Sequence, residues 1–147
     1  MNIQGQAAIV TGGASGLGAQ TARELAKRGA KVAVFDRNAE GAKAVAAEIG
    51  GIGVGCDITS SESVIAALQA AREAHGPARI LMNIAGIGTA KRLIGKDGTP
   101  MPLEDFRRVI EVNLIGTFNV TRLAVAEMVK LEPLTDGERG VVINTAS

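Results

Sequence analysis

Apolar residues along the chain fall into two kinds of run. Short, nearly continuous runs occur at 6–12 (QAAIVTG), 31–36 (KVAVFD), 52–57 (IGVGCD), 79–86 (RILMNIAG) and 140–147 (GVVINTAS). Runs of this length without alternation predict parallel strands buried on both faces. Between them, apolar positions recur at helical spacing. Over 17–29, Leu17, Thr21, Ala22, Leu25 and Ala26 share one face, Lys27 and Arg28 suit the negative end of the helix dipole, and Gly29 suits the position just past it. A shorter helix over 38–49 starts from Asn38. The segment from Thr59 to His75 opens with a capping box, Thr59 with Glu62, carries the stripe Val64, Ala67, Leu68 and Ala71, and is stopped by Gly76-Pro77. A long helix from 103 to about 130 sets Leu103, Phe106, Ile110, Leu114 and Thr117 on one side.

Strand alternating with helix, five times over, predicts an α/β fold: a doubly wound parallel sheet with right-handed crossovers and strand order 3-2-1-4-5. At 147 residues and 46% apolar, the chain has the size of one domain able to bury roughly 70% of its unfolded surface. Segments 86–102 and 131–140 exceed the usual connection length and are rich in glycine, proline and charge, so each is a functional loop or a merely solvated one. Strand 140–147, with Val141, Val142 and Ile143, would leave an apolar sheet edge if it were outermost, and further structure is expected beside it.

Composition narrows the function classes. Sixteen basic against fifteen acidic residues give a net charge of +1 with no basic run, so neither nucleic acid nor a membrane surface is expected as a partner. No stretch approaches roughly 18 unbroken apolar residues and the N-terminus has no signal-peptide pattern; a cytoplasmic protein is expected. The single cysteine, Cys56, excludes an intrachain disulfide or a cysteine-cluster metal site and reads as a small buried residue at a strand end. His75, the only histidine, sits in a last helical turn and is given no chemical role. Tyrosine and tryptophan are absent altogether.

The polar positions that remain gather where strands end. Gly12, Gly16 and Gly18 fall at the first strand-to-helix turn, where backbone N–H groups at a helix N-terminus can meet a dinucleotide pyrophosphate, although a tight turn alone would explain them equally. Asp36 closes the second strand, 24 residues after Gly12, and can accept from ribose hydroxyls while repelling a 2′-phosphate, which favours NAD over NADP; against this, it can cap the next helix, and Arg37 beside it attracts phosphate. Asp57, with Ile58, can meet an adenine edge or simply lead into the next helix. Asn83 is placed to tie the fourth strand to its neighbours, and small Ala85 and Gly86 leave room for a cofactor ribose. Asn113 falls on or beside the apolar stripe of the long helix, where a buried amide needs partners and often accompanies a kink. Lys91, Arg92 and Lys96 can meet a phosphate, but a solvated basic loop is the better reading.

“TGGASGLG”, Asp36, “CDIT”, “NIAG”, Asn113 and “INTAS” occur in the order and spacing of the short-chain dehydrogenase/reductase family, a Rossmann-type fold, and the resemblance runs over the whole chain. “LEDFRRVIEVNLIGTFNVTRLAVAEM”, “EPLTDGERG” and “VVINTAS” further resemble its type II 3-hydroxyacyl-CoA dehydrogenase branch, whose members also act as 17β-hydroxysteroid dehydrogenases in animals. The resemblance implies that Gly12, Ser15, Gly16, Leu17 and Gly18 cradle the pyrophosphate of NAD, Asp36 binds the adenosine ribose, Asp57 and Ile58 meet the adenine, and Asn83, Ile84, Ala85 and Gly86 border the cofactor beyond it. It also implies that Ser147 orients the substrate oxygen, that Asn113 holds a water in a proton relay, and that the enzyme is a homotetramer needing no metal.

The family's general acid/base is a tyrosine helped by a lysine four residues later, and a chain without tyrosine lacks it. A phenol of reference pKa near 10 needs neighbouring positive charge to work near neutrality, and a chain without tyrosine cannot perform the step by that route. The expectation is therefore that residues 1–147 are an incomplete NAD-binding domain, inactive alone, from an enzyme of fatty acid metabolism that interconverts 3-hydroxyacyl-CoA and 3-ketoacyl-CoA. A steroid, a polyol or another small ketone as substrate, or a non-catalytic dinucleotide-binding module, are the alternatives.

Overall fold

The five strands β1 (Ala7–Thr11), β2 (Lys31–Asp36), β3 (Ile52–Gly55), β4 (Ala78–Asn83) and β5 (Val141–Asn144) all run parallel, in the order β3-β2-β1-β4-β5. The computed structural model describes Met1 to Ala146; Ser147, expected to orient the substrate, lies outside the described residues. Parallel register brings the strand ends level: Thr11 pairs with Phe35 and Asn83, Asp36 with Gly55, and Asn83 with Asn144. Residues flagged in the sequence on separate strands are thereby lined up along one sheet edge.

Two-residue periodicity divides each inner strand between two cores. Ile9, Ala33, Phe35 and Leu81 face the layer of α3 (Ser61–His75) and α5 (Thr117–Met128). Ala8, Val10, Val32, Val34 and Ile80 face α1 (Gly16–Lys27) and α2 (Ala39–Ile49). Asn38 caps α2 by accepting from Gly41 N at 3.0 Å, and α3 buries Val64, Ala67, Leu68 and Ala71, as their spacing indicates. His75 closes α3 and donates from its ring to the Val32 carbonyl at 3.2 Å, which requires the Nε2–H form.

Three local expectations are corrected. The cap of α3 is Ser60, whose side chain accepts from Ser63 N; there is no Thr59–Glu62 box, because Thr59 is already folded onto Asp57. In α1 the buried residues are Gly18, Ala19 and Ala22, while Leu17 is 72% exposed at the rim of a cleft; the position set against the glycine turn is Gly18, where no side chain would fit. The apolar stripe of the long helix faces away from the sheet: Leu103, Phe106 and Leu114 are each more than half exposed, and the core is filled instead by Gly116, Val120, Ala124 and Met128.

The phase of the long helix also changes along its length. Between α4 (Leu103–Ile110) and α5, residues Glu111–Gly116 form a π-helical segment. Each residue turns an α-helix by about 100°, so a one-residue insertion changes which side chains meet the sheet. The continuous run Leu103–Met128 is long and apolar enough to cross a membrane by length and composition, but Val120, Ala124 and Met128 pack into the core beside Val64 and Leu68.

Both long connections are ordered by polar contacts. Segment 131–140 is held by Arg79, which donates to the carbonyls of Glu132 and Arg139 at 3.0 Å each, and by Arg139 Nε on the Leu131 carbonyl. Segment 86–102 folds back through a bridge between Ile94 and Pro100, around a turn in which Thr99 donates twice to Asp97 Oδ1.

Candidate functional site

β1 ends in Thr11, and the chain must then reverse into α1 within a few residues. Gly12 makes this possible: its φ is +67°, and a Cβ there would lie 2.7 Å from Ala85 Cα, so only glycine lets β1 and the β4 connection approach so closely. Gly18 is under tighter constraint, since a Cβ would meet the Gly12 carbonyl oxygen at 2.0 Å. Gly16 differs: its φ is +51°, and a Cβ there would meet nothing within 4 Å, so the space above it is open. The first N–H groups of any helix lack intrahelical partners, and the Ser15 side chain does not cap them. No acidic residue stands in that turn. The result is an uncapped, positively polarised helix end facing an open cleft.

Asp36, at the end of β2, braces this turn. Its Oδ2 accepts from Ala14 N at 3.0 Å and its Oδ1 from Asn38 N at 2.9 Å. Each oxygen retains a lone pair for a further donor. The carboxylate thus serves as helix lead and as a cleft-facing acceptor at once. A cleft of about 420 Å³ is lined by Gly12, Ser15, Gly16, Leu17, Gly18, Asp36, Ile84, Ala85, Gly86 and Thr145. Beside it, a more apolar cavity of about 130 Å³ shares Gly12, Asp36, Ala85 and Gly86 and adds Phe35, Arg37, Cys56, Ile58, Ile87 and Val112.

Asp57 is absent from both linings, although its neighbours Cys56 and Ile58 are present. Its Oδ1 accepts from Thr59 Oγ1 at 2.7 Å and Thr59 N at 3.0 Å, and these hydrogen bonds hold its carboxyl below the usual aspartate range. Burial pushes the Cys56 thiol up to about 11. Cys56 is only 3% exposed, so a water-soluble disulfide reagent is expected to leave it unmodified in the native protein and to react within minutes after denaturation; fast labelling of the folded chain would refute its burial.

Asn83 is buried and crosses between elements, donating from Nδ2 to Asn144 Oδ1 at 2.8 Å and to Thr121 Oγ1 at 2.9 Å. Asn83 therefore supports the cleft from behind. Asn113 lies in the π-helical segment and is exposed; it grips both backbone polar groups of Ile87 in the 86–102 connection, accepting from Ile87 N and donating to Ile87 O, both at 2.8 Å.

The basic residues of 86–102 are elsewhere. Lys91, Arg92 and Lys96 border a separate surface groove, and Lys91 pairs with Asp105 at 2.5 Å. Sequence reasoning also passed over Thr11. It is 1% exposed, and its Oγ1 accepts from Ile84 N at 3.1 Å and Ala85 N at 3.2 Å, fixing the backbone that forms the cleft floor. A hydroxyl closing an otherwise apolar strand was the available signal. Thr145, which joins the lining from the end of β5, gave no such signal.

Comparison with known proteins extends these observations. Residues 6–147 match the family model described as short chain dehydrogenase. The fruit fly (Drosophila melanogaster) protein 3-hydroxyacyl-CoA dehydrogenase type-2 is 45% identical over 148 residues, which are 99% of this chain and 58% of that protein. The crystal structure of 3-hydroxyacyl-CoA dehydrogenase type-2 from Mycobacterium avium superposes with a TM-score of 0.90 at 41% identity, covering 97% of this chain and 57% of that one. A 3-ketoacyl-(acyl-carrier-protein) reductase from Brucella melitensis, solved in complex with NADH, gives a TM-score of 0.87 at 35% identity over 99% of this chain and 58% of that one. The chain thus spans somewhat more than half the length of the relatives it matches.

Proposed function

The chain belongs to the short-chain dehydrogenase family, and on that premise we propose that it binds NAD(H) along the carboxyl edge of its sheet, within an enzyme that interconverts a secondary alcohol and a ketone. The observation that carries this reading is the convergence of the uncapped α1 end, the Asp36 carboxylate and the Ile84–Gly86 backbone on one cleft. The open space above Gly16 and the tight approach of Gly12 to Ala85 fit a ligand laid against bare backbone.

In this reading Gly12, Ser15, Gly16, Leu17 and Gly18 surround the pyrophosphate, and the first-turn N–H groups carry its charge. Asp36 accepts from the adenosine ribose hydroxyls, which favours NAD over its 2′-phosphorylated form. Ile58, with Asp57 behind it, borders the adenine; Ile84, Ala85 and Gly86 border the remainder, with Thr11 holding the Ile84 and Ala85 N–H groups and Asn83 tying β4 to Asn144 and Thr121 at the cofactor edge. The bound nicotinamide supplies hydride acceptance or donation. Asn113 sets the Ile87 peptide, and Ser147 orients the substrate oxygen. Proton transfer by a phenol is not available from these 147 residues, which contain no tyrosine.

The substrate pair we propose is 3-hydroxyacyl-CoA and 3-ketoacyl-CoA, supported by the names of the fly and mycobacterial relatives. Exposed Leu114, Ile115 and Phe118 on one helix offer an apolar face suited to the homotetramer that the family resemblance implies. The test is turnover of acetoacetyl-CoA by the whole natural protein, followed by loss of reduced-cofactor absorbance with NADH and with NADPH. Turnover faster with NADH is expected. NADH binding without turnover would withdraw the acyl-CoA assignment, and absence of NADH binding would withdraw the dinucleotide reading itself.

A further inference from the structure

Helix α5 reaches back to a single residue of the β3–α3 connection. Asn119, 5% exposed, donates from Nδ2 to the Ile58 carbonyl at 2.9 Å. Its Oδ1 accepts from Ser61 Oγ at 3.0 Å and from Arg122 Nε and Nη2 at 3.1 and 2.7 Å, and the same Nη2 donates to Ser61 Oγ at 2.8 Å. One turn earlier Gly116 lies against the Ile58 side chain, where a Cβ would meet Ile58 Cγ1 and Cδ1 at 2.7 and 2.8 Å. One helix therefore holds Ile58 by its carbonyl and by its side chain. Ile58 is a wall of the cavity beside Asp36, whereas Ser61, Asn119 and Arg122 do not line that cavity.

A buried amide beside Val120 is costly unless every polar group around it is paired, and here both ends of the Asn119 amide are: Nδ2 on the Ile58 carbonyl, Oδ1 on Ser61 and Arg122. What the amide adds is direction. A charge-assisted hydrogen bond from Arg122 fixes the Asn119 rotamer, and the fixed Nδ2 then dictates where the Ile58 peptide sits. The connection from Cys56 to Ser60 is a short turn closed by Ser60 N on the Asp57 carbonyl and by Thr59 on Asp57 Oδ1, and the Asn119 amide is what ties the Ile58 carbonyl of that turn to α5.

We propose that Asn119, with Arg122 and Ser61 behind it, is a positioning cluster that fixes Ile58 and with it the adenine wall of the cofactor cleft. This rests on the dinucleotide reading above. The cluster touches no cofactor; it acts through Ile58. Its signature is a loss of affinity confined to ligands that carry adenine.

The experiment is titration of the whole natural protein with NADH, with AMP, and with reduced nicotinamide mononucleotide, which lacks adenine. For Asn119→Leu, affinity for NADH and for AMP is expected to fall alike, by about tenfold, with the mononucleotide unchanged. Arg122→Ala should show the same pattern at about threefold, partly recovered in Arg122→Lys. Wild-type NADH affinity in folded variants, or an equal loss for the mononucleotide, would overturn the proposal. If Asn119→Leu does not fold, Arg122→Ala and Ser61→Ala decide it by the same comparison. Failure of the unmutated protein to bind either NADH or AMP would instead strike at the dinucleotide reading.

Discussion

Gly18→Ala is expected to destabilise the protein by about 3 kcal/mol and to remove measurable dinucleotide binding. The added methyl would stand 2.0 Å from the Gly12 carbonyl oxygen and 2.6 Å from its carbon. Neither atom belongs to a flexible side chain. Moving Gly12 aside would drive it into Ala85, whose Cα already lies within 2.7 Å of where a Cβ on Gly12 would be, and would disturb the N–H groups that Thr11 Oγ1 holds. The only relief is for α1 to tilt away, which breaks the packing of Ala19 and Ala22 on β1 and takes the helix end out of the cleft.

Gly16→Ala is the matching control. Its methyl would enter open space, so the cost to the fold is the roughly 1 kcal/mol of a left-handed residue, while the cleft loses room. Thermal melting and NADH titration of the two variants separate these effects: a large drop in Tm for Gly18→Ala and a small one for Gly16→Ala, with binding impaired in both. A Gly18→Ala protein that melts with the wild type and still binds NADH would refute the close approach.

These glycines show what was legible in the sequence. Their spacing marks a strand-to-helix turn, and Asp36 and Asn83 close apolar runs, because a polar residue ending a buried strand must come out at the sheet edge or find a partner. Strand order followed from the alternation of runs, since right-handed crossovers leave few topologies. The long helix was harder to read. Its stripe Leu103, Phe106, Leu114 is truly apolar, but periodicity identifies a face without saying what covers it, and the π-helical segment shifts the phase midway. The inner face is made of Gly116, Asn119, Val120 and Ala124, a mixture that looks unremarkable until Ile58 is placed against it. Asn113, the amide that stands on the apolar stripe, bonds to exposed backbone, whereas the buried amide of the helix is Asn119. Likewise there is no Thr59 capping box, because Asp57 Oδ1 accepts from the Thr59 N–H that Glu62 would need and the helix is capped one residue later by Ser60, a competition between local hydrogen bonds that residue spacing cannot resolve.

Asp36→Ala is expected to weaken NADH binding by about ten- to a hundredfold, the range of a lost hydrogen bond to a charged group. Two causes would contribute, and they can be told apart. The carboxylate holds Ala14 N and Asn38 N, so its removal loosens the glycine turn whatever the ligand. It also stands where an adenosine ribose is proposed to lie, with Arg37 beside it in the same cavity wall. If only the turn mattered, NADH and NADPH would lose affinity by the same factor, since both carry the same pyrophosphate. If the carboxylate meets the ribose, NADPH should lose less than NADH or gain, because repulsion of its 2′-phosphate disappears while the Arg37 guanidinium remains. The ratio of the two dissociation constants, measured for wild type and variant by the same titration, is therefore the informative quantity. A Kd(NADPH)/Kd(NADH) ratio that falls severalfold in the variant supports the ribose contact and the preference for NAD; an unchanged ratio assigns Asp36 to the turn alone.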